Sequence, residues 1–483
     1  MASPTGYIFL RFLLSGSGFC FLLLFSLEKG HALERREILE SHHHTVQISS
    51  LLPDSSCKPS PKGANKKSSL KVVHRHGPCS QLSRNKGNAP TLTEILSHDQ
   101  ARVNSMHLRL AFNSGKTSLQ DSQVTLPAQS GSSLGTGNYF VTVGIGTPKR
   151  DLSLSFDTGS DLTWTQCLPC VSVKSCYQQQ QPIFDPSQST SYSNISCNST
   201  LCSQLNSATG NTPGCSASTC LYAIQYGDKS FTIGFFAQEK LTLTSTDVFN
   251  TFLFGCGENN QGLFRGVAGL LGLGRDKLSI VSQTAQKYGK FFSYCLPSMP
   301  SSTGHLTFGN NGVPSTVKFT PLSINTQNPS FYFIDLKAIS VGGRQLSISP
   351  SVFSTTGTII DSGTVITRLP PAAYGALRTA FRRGMTNYPM TKAVSILDTC
   401  YDLSNYTTVN IPKIGFFFSG NLNVDIDSSG ILIAATSTQF CLAFAGNNDT
   451  SDVGIFGNFQ QKTLEVVYDV AGGRLGFGSG GCA

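Results

Sequence analysis

The stretch Phe156-Asp157-Thr158-Gly159-Ser160-Asp161-Leu162-Thr163-Trp164 decides how the rest of the chain is read. An apolar strand, Leu152 to Phe156, runs straight into an acid, a small hydroxyl residue and a glycine. That order sets a carboxylate at the end of a buried strand, on a tight turn that glycine permits. One such triplet is commonly an ordinary turn. The chain repeats the grammar in Ile359-Ile360-Asp361-Ser362-Gly363-Thr364-Val365-Ile366-Thr367, with its acid 204 residues further on.

A second pair of motifs follows in the same order. Val267-Ala268-Gly269-Leu270-Leu271-Gly272-Leu273-Gly274 comes after the first copy, and Val453-Gly454-Ile455-Phe456-Gly457-Asn458 after the second. Each places large apolar residues before a glycine, as suits a strand passing close beneath another backbone segment. Two ordered pairs of motifs point to an internally duplicated protein with a two-fold site.

On these motifs the chain resembles the pepsin-like aspartic proteases (the A1 family), from about Asn138 to Cys482. The cysteine-rich stretch after Trp164 is similar to the plant nepenthesin-type branch. Leu70-Lys71-Val72-Val73-His74-Arg75-His76-Gly77-Pro78-Cys79 resembles a plant subgroup that includes a chloroplast nucleoid DNA-binding protease. The resemblance implies an all-β-dominated, bilobal fold with a few short helices and a cleft between two β-lobes. It also implies synthesis as a zymogen.

The 483 residues fit two or three domains. Residues 1–32 read as a signal peptide, with the apolar run Phe19 to Leu27 too interrupted upstream to make a membrane span. Residues 33–123 read as a prosegment without a sustained strand pattern. It carries 13 Lys/Arg against 7 Asp/Glu and seven of the nine histidines, so the basic balance of the chain, +9, lies mainly at its front. A helix is expected over Thr91–Leu110, capped by Thr93, with Leu92, Ile95, Leu96, Val103, Met106 and Leu110 as apolar positions. Lys71 and Arg75 are the candidates for pairing with acids of the cleft. Neither His42-His43-His44 nor His74/His76 has the cysteine or acid spacing of a metal site, and no metal or other cofactor is expected.

The N-terminal lobe is expected over 124–320, with a cysteine-rich insertion at 165–222 and a flap at 221–237, and the C-terminal lobe over 321–483. Leu221–Tyr226 and Phe231–Ala237 read as a hairpin joined by Gly227-Asp228-Lys229-Ser230. The resemblance makes this hairpin the flap over the substrate, with Tyr226 its tyrosine, Gly227 beside it and Trp164 behind it. Twelve cysteines after residue 123 favour disulfides over a metal or redox role for Cys167-Leu168-Pro169-Cys170. Spacing leaves the pairing open. The resemblance implies Cys167–Cys170, Cys176–Cys256, Cys197–Cys220, Cys202–Cys215, Cys295–Cys482 and Cys400–Cys441. Sequons at Asn194, Asn198, Asn405 and Asn448 fit glycosylation in a secretory pathway.

The only histidine after residue 123 is His305, and no acid-and-serine motif accompanies it, so serine-type catalysis has no basis in the mature region. The paired acids remain. Asp157 and Asp361 are the catalytic candidates, supported by Thr158, Gly159, Ser160, Ser362, Gly363 and Thr364. Two carboxylates held together share a proton, so one can act as base on a water while the other polarises a peptide carbonyl. The expected function is a secreted, acid-active, monomeric endopeptidase of the apoplast, or of the vacuole or chloroplast. Its expected partners are peptide substrates and its own prosegment, with neither DNA nor membrane among them. The alternatives are an inactive, protein-binding homologue resembling xylanase inhibitors, and a plastid nucleoid DNA-binding protease.

Overall fold

The structure, a computed structural model, describes residues 42–62, 66–83, 90–113, 139–226, 230–262, 264 and 266–482. The expected signal peptide, residues 114–138 and Gly227 lie outside these.

The chain folds into two β-lobes joined by one antiparallel sheet. Phe291–Cys295 stands at its middle, paired on one side with Thr303–Phe308 and on the other with Glu465–Asp469. Arg474–Gly478 and Lys318–Ser323 continue the sheet into the C-terminal lobe. Its inner face is aromatic. Phe292 stacks on Tyr468 at 4.4 Å between ring centroids, and Tyr332 meets Tyr468 edge-on at 4.6 Å. Such pairs add about 0.5–1.5 kcal/mol each beyond area burial.

Each lobe repeats one local device. Arg150–Asp157 runs parallel to Gly269–Gly272, and Thr358–Ile360 runs parallel to Gly454–Phe456. Both strands thus end at the paired acids with the glycine motif alongside. The Gly272 amide donates to Thr163 Oγ1 at 3.1 Å, and the Gly457 amide donates to Thr367 Oγ1 at 3.0 Å. Gly272 has no alternative residue, because a Cβ there would lie 2.1 Å from the Asp161 carbonyl oxygen.

The front of the chain is more ordered than its composition predicts. His43–Gln47 pairs antiparallel with Thr408–Pro412 of the C-terminal lobe. Ser69–His74 lies between Thr303–Phe308 and Tyr139–Ile145, closing the central sheet onto the N-terminal lobe. The expectation of a segment without strands is therefore corrected. Leu70 and Val72 are buried while Lys71 between them faces solvent, so a short alternating run is satisfied by edges supplied from far along the chain. Cys57, between these strands, bonds Cys79 just beyond the second.

One long helix, α1 (Leu92–Asn113), completes the front segment. Its cap is Thr91, not Thr93. Thr91 Oγ1 accepts from the Glu94 amide while the Glu94 carboxylate accepts from the Thr91 amide, a reciprocal capping box. Leu96, Val103, Met106 and Leu110 are buried, at helical spacing. The helix α2 (Pro371–Gly384) starts on a proline at its first turn and buries Ala373, Tyr374, Leu377 and Phe381. Among the described residues no helix is long and apolar enough to cross a membrane.

Four of the expected disulfides are corrected. Cys167 bonds Cys256, Cys170 bonds Cys176, Cys197 bonds Cys215 and Cys202 bonds Cys220. Trp164–Gln166 runs parallel to Gly255–Gly257, which brings Cys167 beside Cys256 and leaves the next two cysteines to close a short loop. In the second group, Cys202 and Cys220 are both buried in the lobe core, whereas Cys215 is exposed and Cys197 half-exposed. Inner pairs with inner and outer with outer. The remaining two bonds are Cys295–Cys482 and Cys400–Cys441.

Candidate active site

Asp157 and Asp361 meet at the floor of the cleft, both buried. Their turns are locked to each other. The Thr158 amide donates to Ser362 Oγ at 3.1 Å and the Ser362 amide to Thr158 Oγ1 at 2.9 Å. Each acid then receives the same two donors. Asp157 accepts from the Gly159 amide (2.9 Å) and Ser160 Oγ (2.6 Å). Asp361 accepts from the Gly363 amide (3.1 Å) and Thr364 Oγ1 (2.6 Å). A Cβ on Gly159 would sit 2.8 Å from an Asp361 oxygen, and one on Gly363 would sit 2.5 Å from an Asp157 oxygen. Close approach of the two carboxylates therefore requires both glycines.

Tyr226 lies at the end of the strand Thr219–Gln225, whose partner Phe231–Thr244 makes the expected hairpin. Trp164 Nε1 donates to Tyr226 Oη at 2.8 Å, and Phe264 meets both rings edge-on. Buried Trp164 thus positions the tyrosine from behind. A cavity of about 130 Å³, lined in part by Asp157, Tyr226, Phe264 and Phe331, lies beneath the hairpin.

The residue that sequence reading missed is Arg102. From α1 its Nη2 donates to Asp157 Oδ1 at 2.8 Å and to Asp361 Oδ2 at 3.0 Å, and its Nε donates to Asp361 Oδ2 at 3.2 Å. Burial opposes the guanidinium charge, but the two carboxylates outweigh it and push its pKa above the usual range. Burial likewise raises both acids. For Asp361 the Arg102 charge and the Thr364 and Gly363 hydrogen bonds prevail and hold it below the usual carboxylate range, whereas Asp157 stays raised, with Asp361 adding to the burial effect. Lys71 and Arg75, the sequence candidates for this contact, do not make it. Lys71 faces solvent and Arg75 is buried in the upper cleft near Tyr177. The overlooked signal was positional: Asp99 and Arg102 fall on the same helical stripe as Leu96, Val103 and Met106.

Another acid, Asp161, is buried four residues beyond Asp157 and accepts from the Asp276 amide at 2.9 Å. Burial pushes its carboxyl up to about 7. The sequons Asn194, Asn198, Asn405 and Asn448 all lie on the surface.

Two family models, described as xylanase inhibitor N-terminal and xylanase inhibitor C-terminal, match residues 139–310 and 331–479. An aspartyl protease family protein of Arabidopsis thaliana is 61% identical over 447 residues, covering 92% of this chain and 94% of the relative. Aspartyl protease AED1 of the same plant is 54% identical over 92% of this chain and 93% of its own length. Aspartic proteinase nepenthesin-2 of Nepenthes gracilis is 40% identical over 70% of this chain and 76% of its own. Among solved structures, basic 7S globulin from soybean superimposes with a TM-score of 0.56 at 22% identity, over 71% of this chain and 91% of that one. That likeness concerns the fold alone. With the paired acids, the duplicated strands and these relatives in view, the chain belongs to the pepsin-like aspartic proteases of plants.

Proposed function

We propose that the chain is the precursor of an acid-active aspartic endopeptidase. Residues 33–123 are its prosegment, 124–320 and 321–483 its two catalytic lobes, and Asp157 and Asp361 its catalytic pair. The observation that carries this reading is the two-fold frame of amides and hydroxyls around the two carboxylates, with a single guanidinium between them. While Arg102 is in place its guanidinium bridges the two acids and fills the space between them. Once it leaves, two adjacent carboxylates cannot both ionise readily, and they share one proton. The ionised partner removes a proton from a water as that water attacks the peptide carbonyl. The protonated partner donates to the carbonyl oxygen, and the amine leaves with a proton returned by the pair. The titration belongs to the pair, so the roles exchange within the cycle.

The disulfides and surface sequons support a secreted, glycosylated protein acting on protein or peptide substrates outside the cell. A second reading, an inactive protein-binding homologue, is favoured by the description of the matching family models and by the globulin-like structural neighbours. The intact frame around both acids and the Trp164–Tyr226 bond speak against it. The test is to incubate purified precursor at neutral and acid pH with a peptide library, with and without pepstatin. Pepstatin-sensitive cleavage in acid is expected, and Asp157→Asn or Asp361→Asn should lower it by roughly a thousandfold or more. Turnover that survives either substitution would remove the proposal.

A further inference from the structure

Asp99, one turn before Arg102 on α1, is fully buried and has three donors. The Val365 amide reaches its Oδ1 at 2.6 Å, and the Ile366 amide reaches its Oδ2 at 3.1 Å. Arg368 Nη2 donates to Oδ2 at 2.8 Å. Arg368 belongs to the lobe. It sits on the strand Thr367–Leu369, 1% exposed, and its Nη1 is held by the Ile366 carbonyl at 2.8 Å. Its Nε has no acceptor among the described residues. The lobe thus supplies a guanidinium and two amides aimed at one carboxylate, directly after the turn that carries Asp361.

Withdrawal of α1 removes that carboxylate but leaves the three donors. The two amides and the guanidinium then face the opened cleft and need another acceptor, from water or from an entering carboxylate. The surroundings favour a side chain entering from the cleft, since Leu96 of α1 packs here against Val365, Ile366 and Phe459.

We propose that Arg368 and the amides of Val365 and Ile366 form a carboxylate-binding subsite of the opened cleft, filled by Asp99 in the precursor and by an Asp or Glu side chain of the substrate afterwards. The proposal rests on the endopeptidase reading for its biological sense. A latch that serves only to hold α1 would leave no preference in the released enzyme. A subsite would, and an amide isostere would be rejected, because it brings an N–H where the pocket offers only donors.

The test uses enzyme released from the full-length precursor and peptide pairs differing only by Asp or Asn at successive positions around the cleaved bond. At about pH 5, where an Asp side chain is ionised, one position should favour Asp by about tenfold or more in kcat/KM. In Arg368→Gln the ratio at that position should fall to within about threefold. Arg368→Lys should lie between, since it keeps the charge but loses the planar fork. Equal rates for Asp and Asn at every position, or a preference that survives Arg368→Gln, would overturn the subsite. If the arginine variants fail to fold, the wild-type pairs decide alone. If the released enzyme cleaves nothing, the endopeptidase reading falls by itself. The same pairs are then compared by calorimetric binding, where equal Kd values would overturn the subsite and about tenfold tighter binding of the Asp peptide would support it.

Discussion

Thr158 and Ser362 exchange hydrogen bonds across the lobe boundary, each amide donating to the other's hydroxyl at 3.1 and 2.9 Å. All four groups are buried. Removing one hydroxyl leaves an amide of the opposite lobe without its acceptor, at about 1–3 kcal/mol. Thr158→Val and Ser362→Ala should each lower the melting temperature measured by calorimetry and reduce peptide cleavage, with the double variant losing less than the sum. Full additivity would show that the two bonds do not act as one unit.

Arg102→Gln removes the charge between two buried carboxylates while keeping the helix. Breaking a buried ion pair from one side costs about 3–5 kcal/mol, here by forcing two acids together unpaired. The variant should release its front segment at higher pH than wild type and bind pepstatin in its unprocessed form at neutral pH. An unchanged pH of release would show that α1 is held by its apolar stripe alone.

The histidines of the front segment give this release a pH window. Burial lowers His44, His74, His76 and His107, and takes His76 to about 3. His74 and His76 also face each other and Arg75, while Lys462 faces His74. His107 faces Asp452 and Arg368. A histidine harder to protonate in the packed segment than in the free one favours packing above about pH 6.5. As pH falls below that, packing weakens by up to ~1.4 kcal/mol per pH unit for each such group, down to its folded pKa. Asp361, lowered in the packed form, works in the same direction near the usual carboxylate range. Release followed by gel analysis should therefore begin below about pH 6.5 and steepen towards pH 4. His76→Phe should move the midpoint to lower pH, and an unchanged midpoint would discard His76 as a contributor.

Tyr226→Phe removes the acceptor of the Trp164 Nε1 bond but keeps the ring against Phe264. Cleavage rates should fall several-fold, and further in Tyr226→Ala, which also loses the edge-on contact with Phe264. Both should leave the melting temperature within a few degrees, because Tyr226 is only partly buried. Unchanged kinetics in both would show that the tyrosine has no part in substrate positioning.

The duplicated strands were legible because their signal is local: a short apolar run, an acid, a glycine, and the same order repeated. The glycine motifs beside them were legible for the same reason. The cysteine pairing was not, since it depends on which strands lie side by side and on which face each cysteine points. Cys167 meets Cys256 only because Trp164–Gln166 and Gly255–Gly257 run parallel. His43–Gln47 and Ser69–His74 were missed because their partners lie in distant parts of the sequence. Arg102 and Asp99 were hidden by their charge. On a helix taken by itself they read as solvated residues, although their spacing put them on the buried stripe.

The Cys57–Cys79 bond changes what a protease can accomplish on this chain. A nick between 58 and 68 cuts the backbone but leaves both halves in one covalent piece, each still anchored by its own strand. Such a cut would be invisible on a non-reducing gel. Only scission downstream of α1 detaches the whole assembly of two strands and helix together, so the staple makes the location of the cut matter more than the number of cuts.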